Sequence, residues 1–313
     1  MPEWIVTSAE AGERLDKFLA AADRAGSRAR AVDALERRKV FLNDRELARA
    51  DAAVRVAAGD VVRLWMDRPG SAKRRATIGD RHDLPIVYED DHLVVLNKPA
   101  GLLAVPLPRD RRNDARSVFE DLKAHFARRR RRPFVVHRID RDTSGLVLFA
   151  KTPADQAALK EQFKRREPER VYQAIVYGHP LPRAGTWRDT LVWDTRMLIQ
   201  KETSPRDPRG KPAVCRYRVV ETLAGASLIE VSLVTGRRNQ IRIQARLRGH
   251  TLVGEQRYVY GPDDLRPIDF PRQALHAGHL AFRHPVDGRA MAFDAPLPAD
   301  LTALLERLRR RET

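Results

Sequence analysis

The residues best suited to chemistry lie near the middle of the chain, where residues 137–145 have the sequence HRIDRDTSG. Asp140 stands two residues after Arg138, in a predicted turn that leads into an apolar strand. Carboxylates are scarce where proteins bind polyanions, so an aspartate retained among arginines indicates chemistry performed on the polyanion. These residues alone leave two alternatives open: Asp140 caps the turn together with Thr143, or Asp142 is the functional carboxylate.

The charge balance agrees with a polyanionic partner. The chain has 59 lysines and arginines against 42 aspartates and glutamates, which gives a formal net charge of +17 and a pI of about 10.6. A balance of this kind favours nucleic acid or an anionic surface as the partner.

Composition also limits where the protein works. The longest apolar stretch, residues 93–107, is interrupted by Asn97, Lys98 and several prolines, so no segment is predicted to cross a membrane. The N-terminal residues contain no basic stretch ahead of an apolar core, and no secretory signal is predicted. The only cysteine, Cys215, excludes an intramolecular disulfide. We therefore expect a cytoplasmic protein without membrane contact.

Residues 1–65 are predicted to form a small module. Two short helices come first, with Ser27 capping the second over residues 28–38, and strands follow at 40–42 and 61–64. Basic residues gather on or beside the second helix, namely Arg24, Arg28, Arg30, Arg37, Arg38 and Lys39. They predict contact with RNA, the alternative being an ordinary solvated helix face.

A polar segment rich in breaker residues, 66–83, is predicted to be a linker, and residues 84–313 are predicted to form a second domain. Strands are predicted at residues 86–88, 93–96, 145–149, 171–177, 227–233, 274–282 and 290–293. Helices are predicted at residues 115–130, 153–166, 239–248 and 298–310. This irregular alternation is typical of an α+β domain around a large mixed sheet.

Several fragments, in one order between residues 86 and 301, resemble the RluA family of RNA pseudouridine synthases. The fragments resemble N-K-P-x-G at 97–101, H-R-L-D-x-x-T-S-G at 137–145, K-x-Y-x-A at 170–174, T-G-R-x-H-Q-I-R at 235–242 and G-D at 254–255. Asn239 stands where the family has histidine, and Glu255 stands where it has aspartate. The front module resembles the αL RNA-binding module found in a ribosomal protein and in tyrosyl-tRNA synthetases.

The resemblance implies both a fold and an activity. The fold is α+β, a pseudouridine-synthase fold with a large, mixed and mainly antiparallel sheet, preceded by a small αL RNA-binding module. The activity breaks the bond from the ribose to the uracil nitrogen, turns the base and rejoins it through a ring carbon. Asp140 is then the nucleophile, attacking either the sugar or the ring, and Arg242 pairs with it and holds its charge and direction.

The resemblance also assigns the walls of a pocket. Tyr172 lies against the uracil face and assists proton removal, Leu275 is an apolar wall, and Arg138 enters the space that the extruded uridine leaves. Without the resemblance, Tyr172 fits a half-buried core tyrosine and Arg242 fits a solvated arginine at the start of a helix.

No cofactor or metal is expected, because the isomerisation has no redox step and needs no energy input. His276 and His279 are predicted to project to opposite faces of a strand, and the cysteine partners typical of zinc sites are missing. The basic runs 128–132 and 164–166 are expected to contact the RNA backbone. We expect a monomer that acts on structured ribosomal RNA, with tRNA as the alternative substrate. A non-catalytic RNA-binding or ribosome-assembly factor on the same fold is the alternative function.

Overall fold

The structure is a computed structural model that describes residues 2–36, 39–47, 49–65, 84–106, 116–127, 131–197, 199–259 and 266–310. The chain folds into two compact units, residues 1–83 and 84–313. The predicted linker at 66–83, Arg37, Arg38 and most of the basic run at 128–132 lie outside the described residues. In the described ranges no helix is long and apolar enough to cross a membrane.

The first unit is a small antiparallel sheet with short helices. Its strands are β1 (Glu3–Ile5), β2 (Val40–Leu42), β3 (Arg45–Leu47) and β4 (Val61–Leu64), in the sheet order β1-β4-β2-β3. Its helices are α1 (Leu15–Phe18), α2 (Arg28–Glu36) and a 3-10 turn at Arg49–Ala53. Side chains of both helices and three strands form one buried core, which includes Leu15, Phe18, Leu35, Val40 and Val62. The Arg30 N–H donates to Ser27 Oγ at 3.2 Å, so Ser27 caps α2 as the sequence predicts.

The second unit is built on an 11-stranded sheet. The strands are β5 (Ile86–Glu89), β6 (Leu93–Lys98), β7 (Phe134–Val135), β8 (Ser144–Ala150), β9 (Glu169–Tyr177), β10 (Ala184–Asp194), β11 (Ile199–Glu202), β12 (Lys211–Leu223), β13 (Ala226–Leu233), β14 (Leu275–Arg283) and β15 (Ala290–Asp294). The order is β11-β10-β12-β13-β9-β14-β8-β6-β5, with β15 paired to β14 and β7 paired to β8. Only the β14–β8 pair is parallel among the described strands, which confirms the predicted mixed, mainly antiparallel sheet.

Four helices accompany this sheet in the described residues: α3 (Val118–Phe126), α4 (Pro153–Arg165), α5 (Gln240–Leu247) and α6 (Ala299–Arg309). Each lies within a predicted helix and is shorter by one or more residues. The Asp155 N–H donates to the Thr152 side chain at the start of α4, and Pro153 occupies the first helical position. Strands β7, β10, β11 and β12 were not predicted. In β10, β11 and β12 the apolar residues are interrupted by charged and polar ones.

The parallel contact between β8 and β14 brings two backbones unusually close. Gly145 pairs with Ala277 and has a φ of +114°. A Cβ atom at Gly145 would lie 2.2 Å from the carbonyl oxygen of Ala277. Only glycine fits this position, which immediately follows the turn that carries Asp140.

We predict that Gly145→Ala lowers the free energy of unfolding by about 3–5 kcal/mol, because backbone strain adds to the steric overlap with Ala277. Urea unfolding of the variant and the parent protein measures this difference. Gly225→Ala is the matched control, since Gly225 also has a positive φ of +67° but has no atom within 4 Å of its added Cβ. The control is expected to lose only about 1 kcal/mol. Equal losses in the two variants would contradict the proposed close approach.

Candidate active site

A cavity of about 270 Å³ lies between the turn before β8 and the start of α5. Asp140 belongs to that turn, Tyr172 to β9, Leu275 to β14 and Arg242 to the first turn of α5, and all four line the cavity. These segments are distant in sequence but meet because β8, β14 and β9 are neighbours in the sheet. Arg138, which is exposed, completes the rim on the side of the turn.

One oxygen of the Asp140 carboxylate is held by two side chains of the α5 region. Oδ2 accepts hydrogen bonds from Asn239 Nδ2 at 2.6 Å and from Arg242 Nη1 at 3.1 Å. In the described part of the chain, Oδ1 accepts no hydrogen bond, and the Asp140 side chain is 22% exposed. The arrangement fixes the direction of the carboxylate and leaves one oxygen available to a ligand in the cavity.

Arg242 bridges Asp140 to a second, fully buried carboxylate. Its Nε and Nη2 donate to Glu255 Oε2 and Oε1 at 2.6 and 2.7 Å, and the Glu255 side chain is 0% exposed. Burial by itself raises the pKa of Glu255, but the hydrogen bonds and charge of Arg242 outweigh it and hold the pKa below its ordinary value. Burial by itself lowers the pKa of Arg242. The hydrogen bonds and charge of Glu255 outweigh this effect and hold the pKa of Arg242 above its ordinary value. The pair therefore keeps Arg242 cationic beside Asp140.

Asn239 is oriented by a chain of hydrogen bonds. The Gln200 N–H donates to the Tyr258 hydroxyl at 2.8 Å, and that hydroxyl donates to Asn239 Oδ1 at 3.3 Å. With its amide oxygen engaged by Tyr258, Asn239 presents its NH₂ group to Asp140. Asn239 also has a left-handed φ of +52°, a conformation that asparagine tolerates better than most residues.

Tyr172 and Leu275 form the apolar side of the cavity. Both are buried, and they pack in one core cluster with Ile139 and Ile241. Burial raises the pKa of Tyr172 to about 12, so its hydroxyl keeps its proton near neutral pH. A flat ring and an aliphatic wall beside a charged carboxylate suit a planar base with a polar edge.

Two buried cations hold the turn that carries Asp140 by its backbone carbonyls. Lys98 Nζ donates to the carbonyl oxygens of Pro99, Leu102 and Arg141, each at 2.8 Å. Arg272 Nη1 donates to the Asp142 carbonyl at 3.1 Å. Burial lowers the pKa of Lys98 to about 7, against the charges of Asp142 and Asp140, which act to raise it. These contacts make Lys98 and Arg272 positioning residues for the turn.

Asp142 lies away from the cavity. Its carboxylate pairs with the adjacent Arg141, with Nε–Oδ1 and Nη2–Oδ2 distances of 3.0 and 3.1 Å. It does not line the cavity that Asp140 faces. The geometry therefore favours Asp140 over Asp142 as the carboxylate that meets a ligand.

Known proteins match the chain over this site and beyond it. The RNA pseudouridylate synthase family matches residues 92–247, a span that contains Asp140, Tyr172 and Arg242. The ribosomal large subunit pseudouridine synthase D of Zymomonas mobilis is 37% identical, over 98% of this chain and 98% of its own. The chain belongs to the RNA pseudouridine synthase family. Its resemblance to the RluA family is thereby confirmed.

Other members of the family extend these matches. The ribosomal large subunit pseudouridine synthase C of Vibrio cholerae is 31% identical, over 96% of this chain and 94% of its own. The solved structure of human RNA pseudouridylate synthase domain containing 4 has a TM-score of 0.57 at 21% identity and covers 72% of this chain and 92% of its own. That structural likeness shows the fold alone.

The synthase structure brings together five of the residues that the sequence singles out, Arg138, Asp140, Tyr172, Arg242 and Leu275, around one cavity. Arg28, expected to contact RNA from the first module, lies on α2 of the first unit, where its side chain pairs with Asp16 at 2.8 Å and stays 62% exposed. Arg37 and Arg38, expected beside it, lie outside the described residues.

The contact roles of Asn239, Glu255, Tyr258 and Lys98 were not predicted. All four lie in or just after fragments that carry the family resemblance, but their types gave no sign of the partners they take. Asn239 and Glu255 were noted only as departures from the family pattern. In the structure Asn239 donates to the Asp140 carboxylate, and Glu255 accepts from the Arg242 guanidinium.

Other chemically capable side chains of this synthase have structural partners. His276 is buried between Ser144 Oγ at 2.9 Å and the Ala295 carbonyl at 3.1 Å, and His279 pairs with Asp294 at 2.7 Å. Burial raises the pKa of the Cys215 thiol to about 12, so it stays protonated. Within the described residues, no group of three histidine, cysteine, aspartate or glutamate side chains is arranged to hold a metal ion.

Proposed function

We propose that this synthase converts specific uridines of large-subunit ribosomal RNA to pseudouridine, with Asp140 as the nucleophile. The observation that carries the proposal is the Asp140 carboxylate that Arg242 and Asn239 hold at the cavity, where one of its oxygens accepts no hydrogen bond from the described residues. The substrate class is supported by the relatives named ribosomal large subunit pseudouridine synthases, which match the chain over almost its whole length. The net charge of +17 suits a substrate with a polyanionic backbone.

The reaction is an isomerisation in which nothing is gained or lost. The bond between the ribose and uracil N1 breaks, the base turns, and a new bond forms between the ribose and uracil C5. C5 gives up a proton and N1 gains one. Asp140 forms a transient covalent bond, to the sugar or to the uracil ring, and this bond holds one reactant while the base turns.

The neighbours of Asp140 serve this chemistry in distinct ways. Arg242 directs the carboxylate, and its own charge is secured by the buried Glu255. Tyr172 lies against the uracil face as a protonated phenol, so taking the C5 proton requires that the phenol first pass its own proton on. Leu275 closes the apolar side of the pocket.

Arg138 is placed to accompany extrusion of the uridine. Chemistry on a base in structured RNA requires the nucleotide to leave its stack. Arg138 is exposed at the rim, two residues before Asp140, and its planar guanidinium suits stacking in the vacated space. A cytoplasmic, monomeric enzyme that uses no cofactor fits this mechanism.

Pseudouridine mapping tests the function directly. Total RNA from cells with and without the gene is mapped, and purified protein is then incubated with transcripts of large-subunit ribosomal RNA and of tRNA. We expect sites in large-subunit ribosomal RNA that disappear without the gene and that the protein restores. Modification of tRNA alone would replace the proposed substrate, and conversion of neither RNA would favour a non-catalytic RNA-binding factor.

We predict that removing residues 1–65 weakens binding to structured RNA but leaves the chemistry intact. The removed unit has its own core, and the described residues around the active-site cavity all lie beyond it. Affinity for a large-subunit transcript is measured at several salt concentrations, and turnover is measured on a concentrated short substrate. An unchanged affinity and salt slope would show that the first unit does not touch RNA.

A further inference from the structure

A second cavity, of about 450 Å³, adjoins the active-site cavity. The two share Arg138, Tyr172, Gly236 and Arg237 among their walls. The second cavity continues toward the end of α4 and the start of β9. An RNA strand that places a base beside Asp140 therefore has open space in the second cavity for the backbone next to that base.

The walls of this second cavity carry four guanidinium groups, those of Arg138, Arg166, Arg170 and Arg237. In the described part of the chain, none of the four pairs with a carboxylate. The nearest acidic side chain of α4, Glu161, is instead engaged by Lys164 and Arg165. His137 adds no charge, because burial lowers its pKa to about 3 and its ring nitrogen accepts the Leu148 N–H.

Arg170 is the group in this cluster whose hydrogen-bonding capacity is least used. Its Nε is buried without a partner among the described residues, and Nη2 makes only a 3.4 Å contact with the Leu233 carbonyl. Its guanidinium carbon lies 5.6 Å from the centre of the Phe163 ring, so the ring supports the group without neutralising it. A buried donor of a cation left unused is costly, and an anion in the cavity would satisfy it.

Arg166 adds a second, independent feature, which is its backbone conformation. It ends α4 with a left-handed φ of +63°, a position where glycine is usual. An arginine there accepts backbone strain while its side chain faces the cavity. Arg237 also lines this cavity, and burial and the charge of Arg166 both lower its pKa. Like charges gathered around one cavity disfavour one another, so an anion bound between them would relieve the repulsion.

We propose that this second cavity binds a backbone phosphate of the RNA next to the extruded uridine, with Arg170 and Arg166 as its principal ligands. The proposal rests on the function proposed above and adds the feature that places the base. Arginine suits the role because its planar donors match two phosphate oxygens at once. The phosphate would anchor the backbone while Arg138 and Asp140 act on the nucleotide beside it.

The test uses Arg170→Gln, which removes the charge and keeps a shorter, polar side chain. The substrate is a short oligoribonucleotide that carries a uridine identified by mapping. We expect KM to rise about tenfold with kcat nearly unchanged, and the slope of log affinity against log salt to become shallower by about 0.7–0.9. Arg170→Lys keeps a charge and should recover part of the affinity. Arg309→Gln is the matched control and should behave as the parent, because Arg309 is an exposed arginine of α6 that pairs with Glu221 and does not line the cavity.

A single neutral methylphosphonate linkage, placed in turn on either side of the uridine, identifies the phosphate. One position should raise KM of the parent about tenfold and have little further effect on Arg170→Gln. Arg166→Gln provides the same comparison on an exposed side chain if Arg170→Gln fails to fold. Equal sensitivity of parent and variants to every neutral linkage would overturn the phosphate site.

The test of the phosphate site can be decided separately from the test of the proposed function. If the parent converts no uridine, binding of the variants to a large-subunit ribosomal RNA transcript at several salt concentrations still decides the matter. A shallower salt slope for Arg170→Gln supports the phosphate site even then, and an unchanged slope excludes it.

Discussion

Asp140→Asn is expected to abolish pseudouridine formation, lowering kcat by roughly 10⁴-fold or more. The amide keeps the shape of the carboxylate but is not a nucleophile, so no covalent intermediate forms. Affinity for RNA is expected to persist, because the arginines around the cavity remain. Conversion of the substrate under single-turnover conditions and binding at one fixed salt concentration measure the two effects separately.

Asp142→Asn is the matched control for this prediction. Asp142 is two residues away and equally acidic, but it pairs with Arg141 and does not line the cavity. The control should retain most of the activity. An active Asp140 variant together with an inactive Asp142 variant would move the nucleophile by two residues and contradict the mechanism.

Arg242→Met is expected to impair both activity and stability. The variant leaves Glu255 buried and unpaired, which is expected to cost about 3–5 kcal/mol in the free energy of unfolding. It also leaves Asp140 without its cationic partner, so we expect kcat to fall at least about 100-fold. Urea unfolding and the conversion assay measure the two losses.

The stability loss in Arg242→Met should depend on pH in a defined direction. In the parent, the pKa of Glu255 is held below its ordinary value, so the pair stabilises the fold above the unfolded pKa of 4.5 and loses this contribution as pH falls. In the variant, Glu255 keeps only the backbone N–H groups of Arg257 and Tyr258 as partners, so burial is expected to raise its pKa and protonation to relieve the uncompensated charge. The difference between parent and variant should therefore be largest near neutral pH and shrink in acid.

A double substitution separates stability from activity at this pair. Arg242→Met combined with Glu255→Met replaces both buried charges by apolar side chains, and it should recover much of the stability lost in the single variant. It should not recover activity, since Asp140 still lacks its partner. Recovery of turnover in the double variant would show that Arg242 acts only on folding.

The sequence, through its resemblance to a known family, predicted the fold class and five of the residues that line the cavity, namely Arg138, Asp140, Tyr172, Arg242 and Leu275. Motifs within short segments place Asp140 after Arg138, and Arg242 near the start of a helix. The predicted helices and all the predicted strands are present, because periodic apolar residues and caps such as Thr152 are local signals. The catalytic roles of Asp140, Tyr172 and Arg242 stay predictions until the variants are measured.

Strands β10 and β12 show where local signals end. In β10 only Trp187 and Leu191 are deeply buried, and in β12 the buried positions alternate with charged ones such as Arg216 and Arg218. These strands are specified by pairing with each other and with β13 rather than by apolar content. Strand propensity depends on such neighbours, and a single sequence does not name them.

The contacts that complete the site were decided by the tertiary structure. Asp140 is about a hundred positions from Asn239 and Arg242 in sequence, with separations of 99 and 102 residues. The sequence supplied the residue types, and the neighbouring strands β8, β14 and β9 brought them within hydrogen-bond distance. Asn239 stands where the family has histidine, and Glu255 stands where it has aspartate. Differences of a few tenths of an ångström decide whether each side chain still reaches its hydrogen-bond partner. Those distances follow from packing around a buried charge, where an unmet hydrogen bond is costly.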